Sequence, residues 1–158
     1  MRVRTLTTEQ WLPRPIGEVF DFFSDAHNLD VLTPPWLHFR ILTPRPIPMT
    51  AGTLIDYRLR WRGVPLSWRT EISAWEPPFR FVDQQVRGPY RQWVHEHTFE
   101  PQGGGTLMRD RIDYAVSGWL LEPLIAGLIV TRDVERIFAY RRDRMRELFT
   151  TAPAAAHG

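Results

Sequence analysis

From residue 52 to 116, apolar and polar residues alternate with a period of two, the spacing of strands that have one buried and one wet face. In TLIDYRLRW, Ile55, Tyr57, Leu59 and Trp61 share one side, and Asp56, Arg58 and Arg60 the other. LSWRTEISA repeats the pattern, with Leu66, Trp68, Thr70, Ile72 and Ala74 inward and Arg69 and Glu71 outward. Turn signals at Gly63, at EPP (76–78), at Gly88-Pro89 and at Gly103–Gly105 cut the stretch into five consecutive strands of an antiparallel meander. VRTLTTEQWL, residues 3–12, predicts a sixth strand that pairs elsewhere in the sheet.

Two short helices interrupt the chain after that first strand. One runs from about Pro15 through Val19, Phe20 and Phe23 to SDAHN, and the second is NLDVL, stopped by Pro34 and Pro35. From about Glu122 to Phe149 the period lengthens, and Val130, Val134, Ile137, Met145 and Leu148 fall on one helical face at ~100° per residue. The predicted fold is α+β: a curved antiparallel sheet of six to seven strands wrapped around a long C-terminal helix. Such a sheet leaves a cavity beneath the helix unless side chains fill it. Residues 1–150 read as one domain and TAPAAAHG (151–158) as a flexible tail.

Composition narrows the class. A chain of 158 residues that is 43% hydrophobic, with seven Trp, can bury about two-thirds of its unfolded surface. All twenty basic residues are Arg, against eighteen acids. The densest run, Arg141, Arg142, Arg144 and Arg146, is interrupted by Asp143 and followed by Glu147, and no nucleic-acid-reading motif accompanies it. Nucleic acid is therefore not expected as a partner. Cysteine is absent, which excludes disulfides and thiolate chemistry, and the longest apolar run, Leu124 to Val130, is too short for stable membrane insertion. A cytoplasmic location is the expectation.

The alternation also turns polar groups inward. Trp93 and Phe99 mark the apolar side of RQWVHEHTFE, so His95 and His97 face in and Glu96 faces out. Met108, Ile112 and Tyr114 carry Asp110 inward on the next strand. A tight hairpin through three glycines pairs inward odd residues with inward even ones, so Asp110 stands opposite His95 or His97 in either register. Asp83 and Gln85 share a face with Phe79 and Phe81. Arg141 lies mid-stripe on the long helix; an unpartnered buried guanidinium costs on the order of several kcal/mol, so it must reach Asp110, Asp83 or an anionic ligand group. Tyr57, Trp61, Trp68, Trp93 and Tyr114 either fill the core or line the cavity. Trp36 and Trp119 are rim candidates, and Trp11 and Trp75 outer-face residues.

His-x-His on a strand can chelate a metal but needs a third ligand. A cupin-like set would require a later His, and the one available, His157, sits in the tail. No metal and no cofactor is predicted.

Four stretches together resemble a known family: VFDFFSDAHNLDVLTPPWLHFRIL (19–42), the segment from Gly52 to Pro101, GTLMRDRIDY (105–114) and IFAYRRDRM (137–145). They are similar to the START-like or SRPBCC superfamily, within it the bacterial proteins described as polyketide cyclase/dehydrase or lipid-transport-like. The resemblance implies a helix-grip fold and a cavity for a hydrophobic ligand; its members include carriers, cyclases, hydrolases and chaperone regulators. The reading favoured is binding, for carriage or sensing, of a hydrophobic or amphipathic small molecule such as a lipid, polyketide or isoprenoid. Its ligand contacts would come from Tyr57, Trp61, Trp68, Asp83, Gln85, Trp93, His95, His97, Asp110, Tyr114 and Arg141. The alternative is a cyclase or dehydratase in which His95 or His97, held by Asp110, moves a proton while Arg141 stabilises an enolate. A third is a regulatory or protein-interaction module. Monomer and homodimer both fit.

Overall fold

The structure is a computed structural model describing residues 2–116 and 123–150, the side chains of 123–126 excepted. Seven strands form one antiparallel sheet: β1 (Arg4–Leu12), β2 (Arg40–Ile41), β3 (Leu54–Trp61), β4 (Val64–Glu76), β5 (Arg80–Arg87), β6 (Tyr90–Gln102) and β7 (Gly105–Val116). Their order is β1-β7-β6-β5-β4-β3-β2, so the first strand pairs with the last, as the isolated N-terminal alternation required. β2 escapes sequence detection because two residues, set against Arg58 and Tyr57, are too few to show a period. The helices are α1 (Ile16–Ser24), α2 (Asn28–Leu32) and α3 (Pro123–Thr150), with a single 3-10 turn at Pro35–Leu37.

The β6–β7 hairpin carries the site and is set by its turn. Gly103 and Gly104 both adopt positive φ, +56° and +77°, the two-residue geometry that only glycine takes without strain. Gln102 then pairs with Gly105, and the resulting register puts His97 directly opposite Asp110, one of the two pairings anticipated.

Elsewhere the alternation slips. Between Ile72 and Ala74 the β4–β5 register shifts, pairing Ile72 with Asp83 but Ala74 with Val82. The extra residue, Ser73, reverses the faces that follow it. Trp75 consequently packs inward at 5.1 Å from the Phe20 ring and 5.4 Å from Phe81, which corrects its outer-face assignment. Trp11 does face out, 48% exposed, with its Nε1 donating to Gln102 O. Phe79 falls in the turn before β5 and is exposed, not inward with Phe81.

α3 buries Val130, Val134, Phe138, Arg141, Met145 and Phe149, while Ile137 and Leu148 are only half-buried. The stripe is thus centred one residue from the predicted line. The helix lies across β1 and β7. Arg4 on β1 donates to Thr131 Oγ1 at 3.0 Å, and Trp61 Nε1 at the end of β3 donates to Asp133 Oδ2 at 2.7 Å, so the sheet holds α3 from two sides. Because the helix rests on the β1–β7 side, the concave surface of β3 to β6 is not fully covered. None of the described helices is long and apolar enough to cross a membrane. Trp119, Glu122, His157 and the predicted tail lie outside the described residues.

Candidate functional site

The uncovered concavity is a cavity of about 240 Å³ bounded by β3 to β6, α1, α2 and α3. Most of its wall is apolar. Tyr57, Trp61, Trp68 and Trp93 line it, joined by Asp83, His95, His97 and Arg141. Three predicted contacts stand elsewhere. Gln85 spans the Gly88-Pro89 turn, donating to Tyr90 O at 2.7 Å and accepting from Tyr90 N at 3.1 Å, so its amide is consumed by the hairpin. Tyr114 is buried against Trp93 and pairs with Thr131 Oγ1 on α3. Asp110 sits behind the histidines, off the cavity wall.

The polar cluster follows from strand register. Asp83, His95 and His97 project from adjacent strands because Asp83 pairs with His95 and Phe81 with His97 across β5–β6. The two imidazoles stack, with centroids 3.6 Å apart and planes 31° apart, and Phe81 stacks on the far face of His97 at 4.0 Å. A carboxylate flanks each edge of this stack. Asp110 Oδ1 lies 2.8 Å from His95 Nε2 and 3.0 Å from His97 Nδ1. Asp83 Oδ2 lies 2.8 Å from His97 Nε2 and 3.8 Å from His95 Nδ1. The 2.8 Å contacts are hydrogen bonds; His97 Nδ1 has no aligned partner, so its approach to Asp110 adds charge attraction without a directed bond.

This arrangement separates the histidines electrostatically. Burial, reinforced by the charge on His97, pushes His95 down to about 4, and its contacts with Asp110 and Asp83 only partly offset that. His95 is therefore neutral near pH 7. Since Asp110 accepts from Nε2–H, the lone pair of His95 is on Nδ1, which makes no hydrogen bond and belongs to a residue on the cavity wall. His97 moves the other way: burial opposes its charge, but Asp110 and Asp83 outweigh it and raise its affinity for a proton. Burial likewise works against both carboxylates, yet the histidines and the nearby Arg141 hold Asp83 low and Asp110 well below the usual carboxylate range.

Arg141 departs from the expected ion pair. It is 8% exposed, has no carboxylate of the described residues within salt-bridge distance, and its Nε is buried without an acceptor among them. Its guanidinium instead lies over the rings of Phe23 and Phe138, at 5.6 and 5.8 Å. Packing of α3 by Phe138 sets this position, which explains why neither Asp83 nor Asp110 is reached.

Asp83 is also the third potential metal ligand that His-x-His lacked: among the described residues, ligand atoms of Asp83, His95 and His97 lie within 4.8 Å of one another. Each imidazole, however, already hydrogen-bonds a carboxylate, at 2.8 Å. The geometry as it stands suits shared protons; a common ion would have to displace the protons now held between imidazole and carboxylate.

Sequence reasoning missed two parts of the site. Phe23, one of the two rings against which Arg141 lies, was legible only as an apolar helix residue, and Phe138, the other, fell off the predicted stripe. Leu37, Phe39 and Met49 line the cavity from the irregular segment between α2 and β3, where no periodicity marks an inner face. Trp36, the proposed rim residue, is 45% exposed and packs on Tyr140 and beneath Arg136 on α3.

A sequence model of the family described as polyketide cyclase/dehydrase and lipid transport matches residues 12–139. Among solved structures, the Zhui aromatase/cyclase from Streptomyces sp. R1128 superposes with a TM-score of 0.78 at 15% identity, covering 99% of this chain and 99% of that one. Ara h 8.0201 gives a TM-score of 0.68 at 14% identity, over 95% of this chain and 99% of that one. A part of the nucleoside-diphosphate sugar epimerase from Corynebacterium glutamicum is similar at 26% identity and TM-score 0.65, over 90% of this chain but 28% of that one. The first two likenesses are of fold alone. No curated protein matches significantly.

Proposed function

The chain belongs to the polyketide cyclase/dehydrase and lipid transport family of the START-like (SRPBCC) superfamily, and from that membership we propose that it binds a hydrophobic small molecule in the interior cavity, polar end against Arg141 and the Asp–His cluster. The observation that carries this reading is the uneven wall: aromatic and aliphatic over most of its area, with charged and hydrogen-bonding groups gathered on one side. Burial of ligand carbon contributes affinity of about 0.8 kcal/mol per methylene, and the polar side fixes orientation. Native mass spectrometry of gently purified protein, with displacement of an anilinonaphthalene dye, tests it. Wild type should bind the dye and release it to competing apolar ligands. Ala26→Phe, which fills the cavity from its wall, should abolish binding while leaving the fold intact. Equal dye binding by both proteins would refute an interior site.

One observation favours a second reading, acid–base catalysis of the cyclase or dehydratase type. His95 is held at Nε2 by Asp110 and keeps Nδ1 unpaired beside the cavity, which is how a proton-transferring imidazole is mounted. On this reading His95 is the proton acceptor, Asp110 positions it, and Arg141 stabilises developing enolate charge. Loss of turnover in His95→Ala and Asp110→Asn, with ligand affinity kept, would support it. Retained turnover in both would remove these roles.

A further inference from the structure

We propose that the ligand carries an acidic head, a carboxylate or similarly compact oxyanion, on a small aromatic body, and that Arg141 receives that head. This rests on the cavity reading above and names the chemistry of its occupant.

Arg141 is a cavity-wall residue, more than nine-tenths buried, that makes no hydrogen bond or ion pair with any described residue. Phe23 and Phe138 fix the plane of the guanidinium but offer it only ring faces. The carboxylates do not compete for it: Asp110 accepts from His95 and Asp83 from His97, each at 2.8 Å, and neither comes within ion-pair distance of Arg141. A planar array of N–H donors facing an apolar chamber, with no acceptor of its own, is the complement of a two-oxygen anion. A neutral head could accept from the guanidinium but supplies no opposite charge, and a cationic head would repel it. The size of the chamber limits the body: about 240 Å³ falls just below the roughly 300–1,000 Å³ usual for small-molecule sites, and its aromatic wall of Trp68 and Trp93 suits a compact ring system better than a long acyl chain.

The test compares three probes of one shape, 2-naphthoate, 2-naphthamide and 2-naphthylmethylamine, by calorimetry on wild type, Arg141→Met and Arg141→Lys. Wild type should bind the acid about tenfold or more tighter than the amide, with the amine weakest. Arg141→Met should equalise acid and amide without weakening the amide, and Arg141→Lys should keep part of the preference. The proposal is overturned if the acid binds no tighter than the amide, if the amine binds best, or if the preference survives in Arg141→Met. Equal binding of acid and amide removes the acidic head and leaves the cavity reading standing; no binding of any probe removes both.

Discussion

Asp110→Asn isolates the charge that organises the stacked histidines. The substitution preserves volume and an acceptor for His95 Nε2–H, but removes the negative charge lying 2.8 Å from one ring and 3.0 Å from the other. Downgrading a charge-assisted hydrogen bond to a neutral one costs roughly 1–2 kcal/mol, partly offset because a buried charge is also removed. A second contribution depends on pH. His97 binds its proton more tightly folded than unfolded, and Asp110 is among the causes. A histidine raised in this way stabilises the fold fully below its unfolded pKa of about 6.5, and that stabilisation is lost as pH climbs through the higher folded value. Each tenfold of proton affinity that Asp110 confers on His97 is therefore ~1.4 kcal/mol, fully present at pH 5.5 and smaller at pH 9. Urea unfolding of wild type and variant at both pH values should show the larger loss at pH 5.5. Both groups are buried, so salt should change the result little. An equal loss at the two pH values, or a variant more stable than wild type at pH 5.5, would refute the assigned protonation pattern.

Three further outcomes follow from packing and pairing. Gly105→Ala, ordinarily a mild stabiliser, should lower stability by about 1–3 kcal/mol in a thermal melt, because its Cβ would stand 2.3 Å from the Leu12 carbonyl oxygen and 2.6 Å from the Trp11 ring. Asp133→Asn weakens the acceptor of Trp61 Nε1 and of half-exposed Arg62, and should cost about 1 kcal/mol with a shift in tryptophan emission. Arg69→Ala removes a bidentate pair with Asp56 on the open face of the sheet; because both partners are well exposed, chemical denaturation should register a change within about 0.5 kcal/mol.

Much of the architecture was legible because β3 to β7 follow a two-residue period over most of their length. The same period, with the parity of the glycine hairpin, is enough to place Asp110 opposite the histidines. What escaped was whatever broke or lacked that period. The extra residue at Ser73 turned Trp75 inward, against a pattern read straight through it. Gln85 had the right face, but its side chain is drawn into the adjacent turn. The partner of Arg141 was misjudged for another reason: a helical wheel states which way a residue points and not how far along the sheet the helix sits. The cavity wall between α2 and β3 is irregular chain, where inward and outward positions follow no rule that a sequence displays.

The pairing of Arg4 with Tyr114 ties the beginning of the chain to a strand completed only after six others, and α3 then closes over that seam. The chamber is therefore complete only once α3 has been made. A nascent chain halted before α3 would expose the imidazole–carboxylate stack and its aromatic surroundings to water, so the same topology that shelters the ligand site also makes its assembly slow and dependent on α3.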